Sequence, residues 1–428
     1  MKNRVQNILI ILLSLSAAAL FFLTLSGGMG LFGLYRPDAG DGSDAPAVSP
    51  IQPAAAVVND GSACLRLTAP HLLTPYFDLL KPVLVELLGS AGAPAPADAE
   101  DWTGALLGKG VLLDYGALLP MDVVAGGMGG ALAVYPADSL LIVLEGEFAS
   151  VMLYAAGSGC FTAHTALKTA DLHGLLAPGG GEAVTYACAL PEFSASALTP
   201  HSAVPVDTGL NSVLTREPLC GENGSYDRDR QAMILAAFGF DIYTARSYID
   251  SQGSRVFLAE HGSLRMSGDG TVAFAAGEAD GLSAGGAAGI SAYAGFAANI
   301  LQSCMTGLSG QQRYCVSFAG EQNGIVTVEF DALARGLPLV AANGSRTAAS
   351  FVFENGRLIL AEAALFAVSA AETGAALPPL PVETLLSGMN GSAPAGRLTP
   401  AYVQAEDGVW RLSWCVLPVE RHMDGRDE

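Results

Sequence analysis

Residues 227–276 limit how this chain can fold more than any other stretch. The segment opens as a helix. Asp227 is placed to cap it, Met233, Ile234, Ala237 and Phe238 share one face, and Gly239 suits a left-handed stop. Three short runs follow, in which Val256 and Leu258, Leu264 and Met266, and Val272 and Phe274 alternate with polar or small neighbours. That alternation predicts three strands. His261-Gly262 and Gly268-Asp269-Gly270 separate them with residues that tight hairpins use. Strands joined so tightly pair antiparallel, because a parallel connection needs a crossover of about a dozen residues. The stretch is a helix plus a meander, and it holds no cluster of residues that does chemistry.

At 428 residues the chain is longer than one typical domain, and two or three are expected. A first lobe is expected over 62–220. Its predicted strands are 64–68, 110–115, 131–135, 140–144, 151–154 and 183–190, and its predicted helices are 75–88 and 102–107. Pro82 is expected to shorten or kink the first helix. The segment 191–218 shows no clear pattern. The central helix and meander fill 225–280. A C-terminal domain is expected over 285–420. In it, Ile290, Tyr293, Phe296, Ile300 and Leu301 predict a helix across 288–308. Strands are predicted at 313–318, 324–333, 346–354, 357–366, 397–404 and 410–416, and a short helix at 377–386. Asn355-Gly356 is a strong hairpin signal. The fold class is α+β, with helices laid on antiparallel sheets.

The N-terminus sets the address. Residues 8–25 carry no charge, and the uncharged run extends from Val5 to Tyr35. At about 1.5 Å per residue, such a helix spans roughly 27 Å, close to a hydrocarbon core. Lys2 and Arg4 precede the run, while Asp38, Asp41 and Asp44 follow it. The positive-inside rule then keeps the N-terminus in the cytoplasm and exports the rest. A cleaved signal peptide is the competing reading, but its apolar region would be shorter and would end in an A-x-A-like site. An uncleaved transmembrane anchor over 1–36 is therefore expected, with extracytoplasmic lobes beyond a linker at 37–61. That linker is rich in Gly, Asp, Ser and Pro.

Formal net charge is −20, with 21 Lys and Arg against 41 Asp and Glu. A surface so acidic repels nucleic acid, which excludes that class of partner. The six histidines show neither metal-ligand spacing nor an HExxH, and each reads as a surface or loop residue. The seven cysteines form no CxxC; Cys304 and Cys315 could pair across a helix–strand connection. No cofactor is implied. Gly281-Leu282-Ser283-Ala284-Gly285 matches the G-x-S-x-G nucleophile elbow, but no buried strand precedes it. A cell-envelope hydrolase would rest on Ser283. A ligand-binding extracytoplasmic sensor would need a polar, aromatic pocket, and with 7% aromatics the sequence locates none.

The stretch FGFDIYTARSYIDSQGSRVFLAEHGSLRMSGDGTVAFAA resembles the YycH/YycI family of low-GC Gram-positive bacteria. The matching residues are Phe238, Gly239, Phe240, Tyr248, Asp250, Gly253, Arg255, Val256, Leu264, Arg265, Gly270 and Val272. The C-terminal region is similar in plan: Val326 to Phe330, Gly336 to Val340, Phe353 to Leu358, Leu398 to Tyr402, and Leu412-Ser413-Trp414. The likeness is weak over 62–219, where Ala and Gly dominate. The resemblance implies a non-enzymatic, single-pass membrane protein with its bulk outside the cell. It implies action on a sensor histidine kinase governing cell-wall metabolism, with a sister family member as a second partner, and it supplies no catalytic residues. Ser14 and Ala18 are small residues four apart, and Ser26 and Gly30 repeat that spacing. Small residues let helix backbones approach closely in lipid. With the resemblance, Ser14, Ala18, Ser26 and Gly30 are the expected contacts with a partner helix. A reporter active only in the cytoplasm, fused after Glu428, should be silent in cells; activity there would overturn the topology.

Overall fold

Short turns between successive strands force antiparallel neighbours, and the folded region is two such sheets. A computed structural model of the chain describes residues 51–418 except 128–129, 157, 190–200, 202, 206–212, 219–227, 278–280, 285–288, 307–311, 335, 371–395 and 406–408. The expected anchor at 1–36, its contact residues Ser14, Ala18, Ser26 and Gly30, the cap Asp227 and the helix predicted at 377–386 lie outside these residues. Among the described residues, no helix is long and apolar enough to cross a membrane.

The first sheet has nine strands among the described residues. Their spatial order is Ala95–Ala97, Gly159–Lys168, Phe148–Ala155, Pro136–Val143, Gly110–Pro120, Ala55–Asn59, Cys64–Leu67, Glu182–Tyr186 and Ala203–Pro205. Helix Pro70–Ser90 covers one face with Leu73, Phe77, Leu80, Leu84 and Leu87, all buried. The helix continues past Pro75 and Pro82 without ending and starts earlier than its sequence pattern suggested. An interior proline costs about 3 kcal/mol, and burying each of these side chains gives about 1.5–3 kcal/mol, so packing overrides the break. Helix Ala99–Leu107 covers the other face with Trp102 and Leu106. Asp98 and Asp101 start that helix with a reciprocal capping box. Strand Gly110–Pro120 is thus buried on both faces, which explains its nearly continuous apolar run.

Several expectations for this lobe change. The linker expected over 37–61 does not reach residue 61, because Ala55–Asn59 is a strand at the centre of the sheet. Val57 and Val58 point to its opposite faces and join different cores. The strand predicted at 131–135 is instead a 3-10 turn at Gly130–Leu132, since a short apolar run has no period of its own. The strand predicted at 183–190 ends at Tyr186 and passes into a 3-10 turn at Ala187–Ala189.

The second sheet contains the meander. Its order is Arg246–Ile249, Arg255–Ala259, Gly262–Met266, Thr271–Ala276, Arg357–Ala364, Thr347–Glu354, Ile325–Ala334, Leu337–Val340, Gly396–Gln404, Trp410–Pro418, Val213–Pro218 and Phe366–Ala370. Leu282–Ser283 and Gln312–Gln322 pair onto it from the side. The meander and the C-terminal strands, expected as two domains over 225–280 and 285–420, share this one sheet through Thr271–Ala276 and Arg357–Ala364. Val213–Pro218, expected within the first lobe, also belongs to it. Among the described residues one pairing is parallel, Leu337–Val340 beside Tyr402 and Val403. Asn323-Gly324 and Asn355-Gly356 both turn with positive φ (55° and 80°, 49° and 80°), as two-residue hairpins of the twisted sheet require.

Helix Arg228–Ala237 and helix Ile290–Met305 pack on the inner face of this sheet. Gly239, at φ +74°, ends the former. The second helix buries Ala294, Ala297, Ile300, Leu301 and Cys304, with Tyr293 and Phe296 against Phe353. One contiguous apolar core runs from Leu80 and Val124 of the first lobe to Phe274, Ala297 and Phe351 of the second. The lobes meet closely elsewhere too: a Cβ on Gly336 would lie 2.0 Å from the Thr68 side chain. Arg313 closes the seam, donating to the carbonyls of Pro53 (2.7 Å) and Ala54. Burial lowers its guanidinium pKa to about 10, so the cation is held at neutral pH. Arg313→Leu keeps the apolar stem but leaves two carbonyls without their donor. It should lower unfolding free energy by about 2–3 kcal/mol in denaturant titrations.

Candidate functional site

The residues that stood out in the meander fall into two groups, buried and exposed. Phe238 and Phe240, on either side of Gly239, are buried and pack on Phe274 at 5.8 and 6.3 Å between ring centroids. His261 sits against Phe240 at 4.6 Å, and its Nε2 lies 3.0 Å from the Phe238 carbonyl. This knot fixes the helix end to the meander. Leu264, Met266, Val272 and Phe274 face the core as their alternation indicates. The strand before them does not follow its alternation. Phe257 enters the core, while Leu258 is 41% exposed on the opposite face.

Asp250 organises the first hairpin of the meander. Its Oδ1 accepts N–H groups from Gln252 and Ser254, at 2.8 and 2.9 Å. Its Oδ2 pairs with Arg265 at 3.0 Å, and Arg265 also donates to Gln252. The conspicuous Asp250, Gly253 and Arg265 are therefore a turn and its brace. Beyond that turn lies the edge strand Arg246–Ile249, exposed at all four residues. Around it Tyr243 is 82% exposed, Tyr248 51% and Ile249 59%. These exposed apolar side chains, at the end of a sheet, mark the candidate interaction surface. Sequence reasoning read Tyr248 as a motif residue but gave no sign that its strand forms an edge.

Ser283 lacks the geometry of a nucleophile elbow. It lies on the two-residue strand Leu282–Ser283, exposed, and pairs antiparallel with Arg357. An elbow needs a buried strand that delivers the serine to a helix N-terminus. A different serine stands near a histidine and an aspartate. His201, expected at the surface, is buried at 1% exposure between Trp102 and Tyr154. Its Nε2 lies 2.9 Å from Ser139 Oγ and 3.3 Å from Asp138 Oδ1, and Asp138 Oδ2 accepts the Ala156 N–H. Both contacts fall on one ring nitrogen, so the aspartate does not orient the imidazole from its far side as a triad requires. His201, Ser139 and Asp138 are all buried, and the group is a polar plug beside Trp102 and Tyr154 of the second core.

Among the described residues, no three His, Cys, Asp or Glu are grouped to hold a metal ion. A depression of about 170 Å³ is lined by Gly320, Gln322, Asn323, Ile325 and Thr327, and one of about 20 Å³ lies at the seam near Tyr115, Asp331 and Arg346. Small-molecule pockets run to roughly 300–1,000 Å³, so neither suits the sensor reading.

No protein-family model and no curated protein matches the chain. Among solved structures, that of YycH from Bacillus subtilis is similar to this one, with a TM-score of 0.51 at 10% sequence identity. The match covers 89% of this chain and 98% of that one. The fold is YycH-like. The likeness thus takes in the first lobe, where the sequence resemblance is weak. The YycH-like core also explains which residues carried that resemblance, since Phe238, Phe240, Leu264 and Val272 are all buried.

Cys304 and Cys315 are both buried and both free, so the pairing considered for them is not made. Burial pushes the thiols of Cys160 and Cys188 up to about 11 and that of Cys304 to about 12, from an ordinary 9.0. Thiolate is the reactive form, so these cysteines are inert near neutrality. Because the folded values are raised, the unfolded chain releases these protons first as pH rises. Stability is full below pH 9 and should fall progressively from there to about 12. Iodoacetamide should leave Cys304 unlabelled at pH 8 in the folded protein and label it after denaturation; mass spectrometry reads the difference.

Proposed function

We propose that this chain is a membrane-anchored, extracytoplasmic regulator of a two-component sensor histidine kinase, acting by protein contact without catalysis of its own. One observation carries the reading: the YycH-like fold, which extends over 98% of the chain of YycH from Bacillus subtilis. The N-terminal sequence supports the placement. An uncharged run from Val5 to Tyr35, with Lys2 and Arg4 before it and acidic residues after it, has the length and charge asymmetry of a single anchor. The lobes then lie outside the cytoplasm, and cell-wall metabolism is the process governed. The pattern Ser14, Ala18, Ser26 and Gly30 gives the anchor a face on which a partner helix can approach closely.

Ala18→Leu or Gly30→Leu should fill that face. Either change should weaken co-purification with the kinase while leaving membrane insertion intact. Replacing residues 8–25 by an unrelated apolar helix should do the same. Normal binding and regulation by the exchanged protein would reduce the helix to a tether. Failure of the unaltered chain to co-purify with any sensor kinase would remove the reading itself.

A further inference from the structure

The edge strand Arg246–Ile249 is the last strand at one end of the second sheet. Its inner side pairs with Arg255–Ala259: Arg246 opposite Leu258, Tyr248 opposite Val256 and Ile249 opposite Arg255. Beyond the strand, the Asp250 N–H donates to the Ser254 carbonyl at 2.9 Å. Hydrogen-bonded pairs alternate along an antiparallel ladder, so Tyr248 and Arg246 also bond inward. The N–H and C=O groups of Ser247 and Ile249 consequently point outward, away from the sheet. Edges of this kind are usually blunted by proline, by inward charges or by a covering loop. This one carries Tyr248 and Ile249 half exposed or more, and no proline.

The sequence Arg246-Ser247-Tyr248-Ile249-Asp250 is complementary to itself when reversed about Tyr248. In that register Ser247 of one copy faces Ile249 of the other, twice, and these are the residues whose backbone groups point outward. Four backbone hydrogen bonds form. Tyr248 meets its own counterpart in a pair without backbone hydrogen bonds, where side chains approach most closely. Arg246 lies opposite the other copy's Asp250 at both ends. Within one chain Arg246 is exposed, and Asp250 keeps a carboxylate already turned to the same face by Arg265. Shifting the symmetric register by one residue either way separates these charges.

The chain's charge of −20 would oppose self-association, but not at this place. Residues 241–266 hold Asp241, Asp250 and Glu260 against Arg246, Arg255 and Arg265, a local balance of zero. The Debye length is about 8 Å at physiological ionic strength, so distant acidic surface is screened.

We propose that two copies of this chain associate through Arg246–Ile249, in an isologous antiparallel pairing centred on Tyr248 that joins their second sheets into one. A contact this small gives a concentration-dependent equilibrium rather than a permanent dimer. The proposal stands apart from the regulatory reading and does not rest on it.

Sedimentation velocity of the full-length chain in detergent, over a concentration series, tests it. The mass should climb from one chain toward two. Ile249→Pro removes an outward N–H that the fold does not use, and Arg246→Glu sets like charges opposite Asp250. Each should raise the concentration needed for dimer roughly tenfold or more, with an unchanged circular dichroism spectrum. Tyr248→Cys should give a disulfide-linked dimer under oxidised glutathione, which is reduced to two thiols as the bond forms. Leu79→Cys, exposed on the first lobe, should cross-link no faster than the unaltered chain. A chain that stays monomeric, a dimer indifferent to both edge substitutions, or equal cross-linking at positions 79 and 248 would each overturn the proposal.

Discussion

The apolar seam between the two lobes is what the rest of the structure depends on. Helices Pro70–Ser90, Arg228–Ala237 and Ile290–Met305 lie on the inner faces of the sheets, and those faces share one core. Val123 and Val124 of the first lobe and Ala294, Ala297 and Leu301 of the second are all buried in it. Neither sheet could expose that surface to water without losing a large part of its hydrophobic stabilisation. The polar contacts at the seam follow from this closure. Arg313 sits where the strand Gln312–Gln322 passes the start of the first lobe, and it donates to backbone carbonyls that no strand partner reaches. The cation is tolerated there because its two terminal nitrogens each donate to a carbonyl, although its Nε has no partner among the described residues.

With the core shared in this way, the tip of the meander projects from one end of the second sheet. The knot of Phe238, Phe240, His261 and Phe274 anchors its root, and Asp250 with Arg265 stiffens its first turn. The exposed tyrosines and the open edge therefore stand on a rigid support. Rigid presentation matters for recognition, since little conformational freedom remains to be lost on contact. The same arrangement gives the residues most noticeable in the sequence a structural part. They are the turn, brace and anchor of the meander.

Two groups of residues that suggest chemistry lack the geometry for it. Ser283 lies on an exposed two-residue antiparallel strand, and not on the buried strand that an elbow requires. His201, Ser139 and Asp138 do converge, but inside a closed core with both contacts on one nitrogen. Desolvation keeps the buried thiols protonated.

Local chemistry let the sequence alone determine a good deal. Gly239, Gly270 and Asn355-Gly356 stand where the chain must turn, and alternation gave the core face of the second and third meander strands. The periodic residues of the helix at Ile290–Met305 gave its position. Turns and short periods are legible because neighbours in sequence settle them. Tertiary contact decided the rest. Ala55–Asn59 is a strand because two sheet neighbours and two cores receive it, although its alanines look like a linker. Phe257 rather than Leu258 enters the core because the register with Leu264 requires it. His201 is buried because Trp102 and Tyr154, distant in sequence, form its site. The openness of Arg246–Ile249 likewise depends on which strand ends the sheet. Pairing order is a property of the whole chain, and no window of residues around Tyr248 contains it.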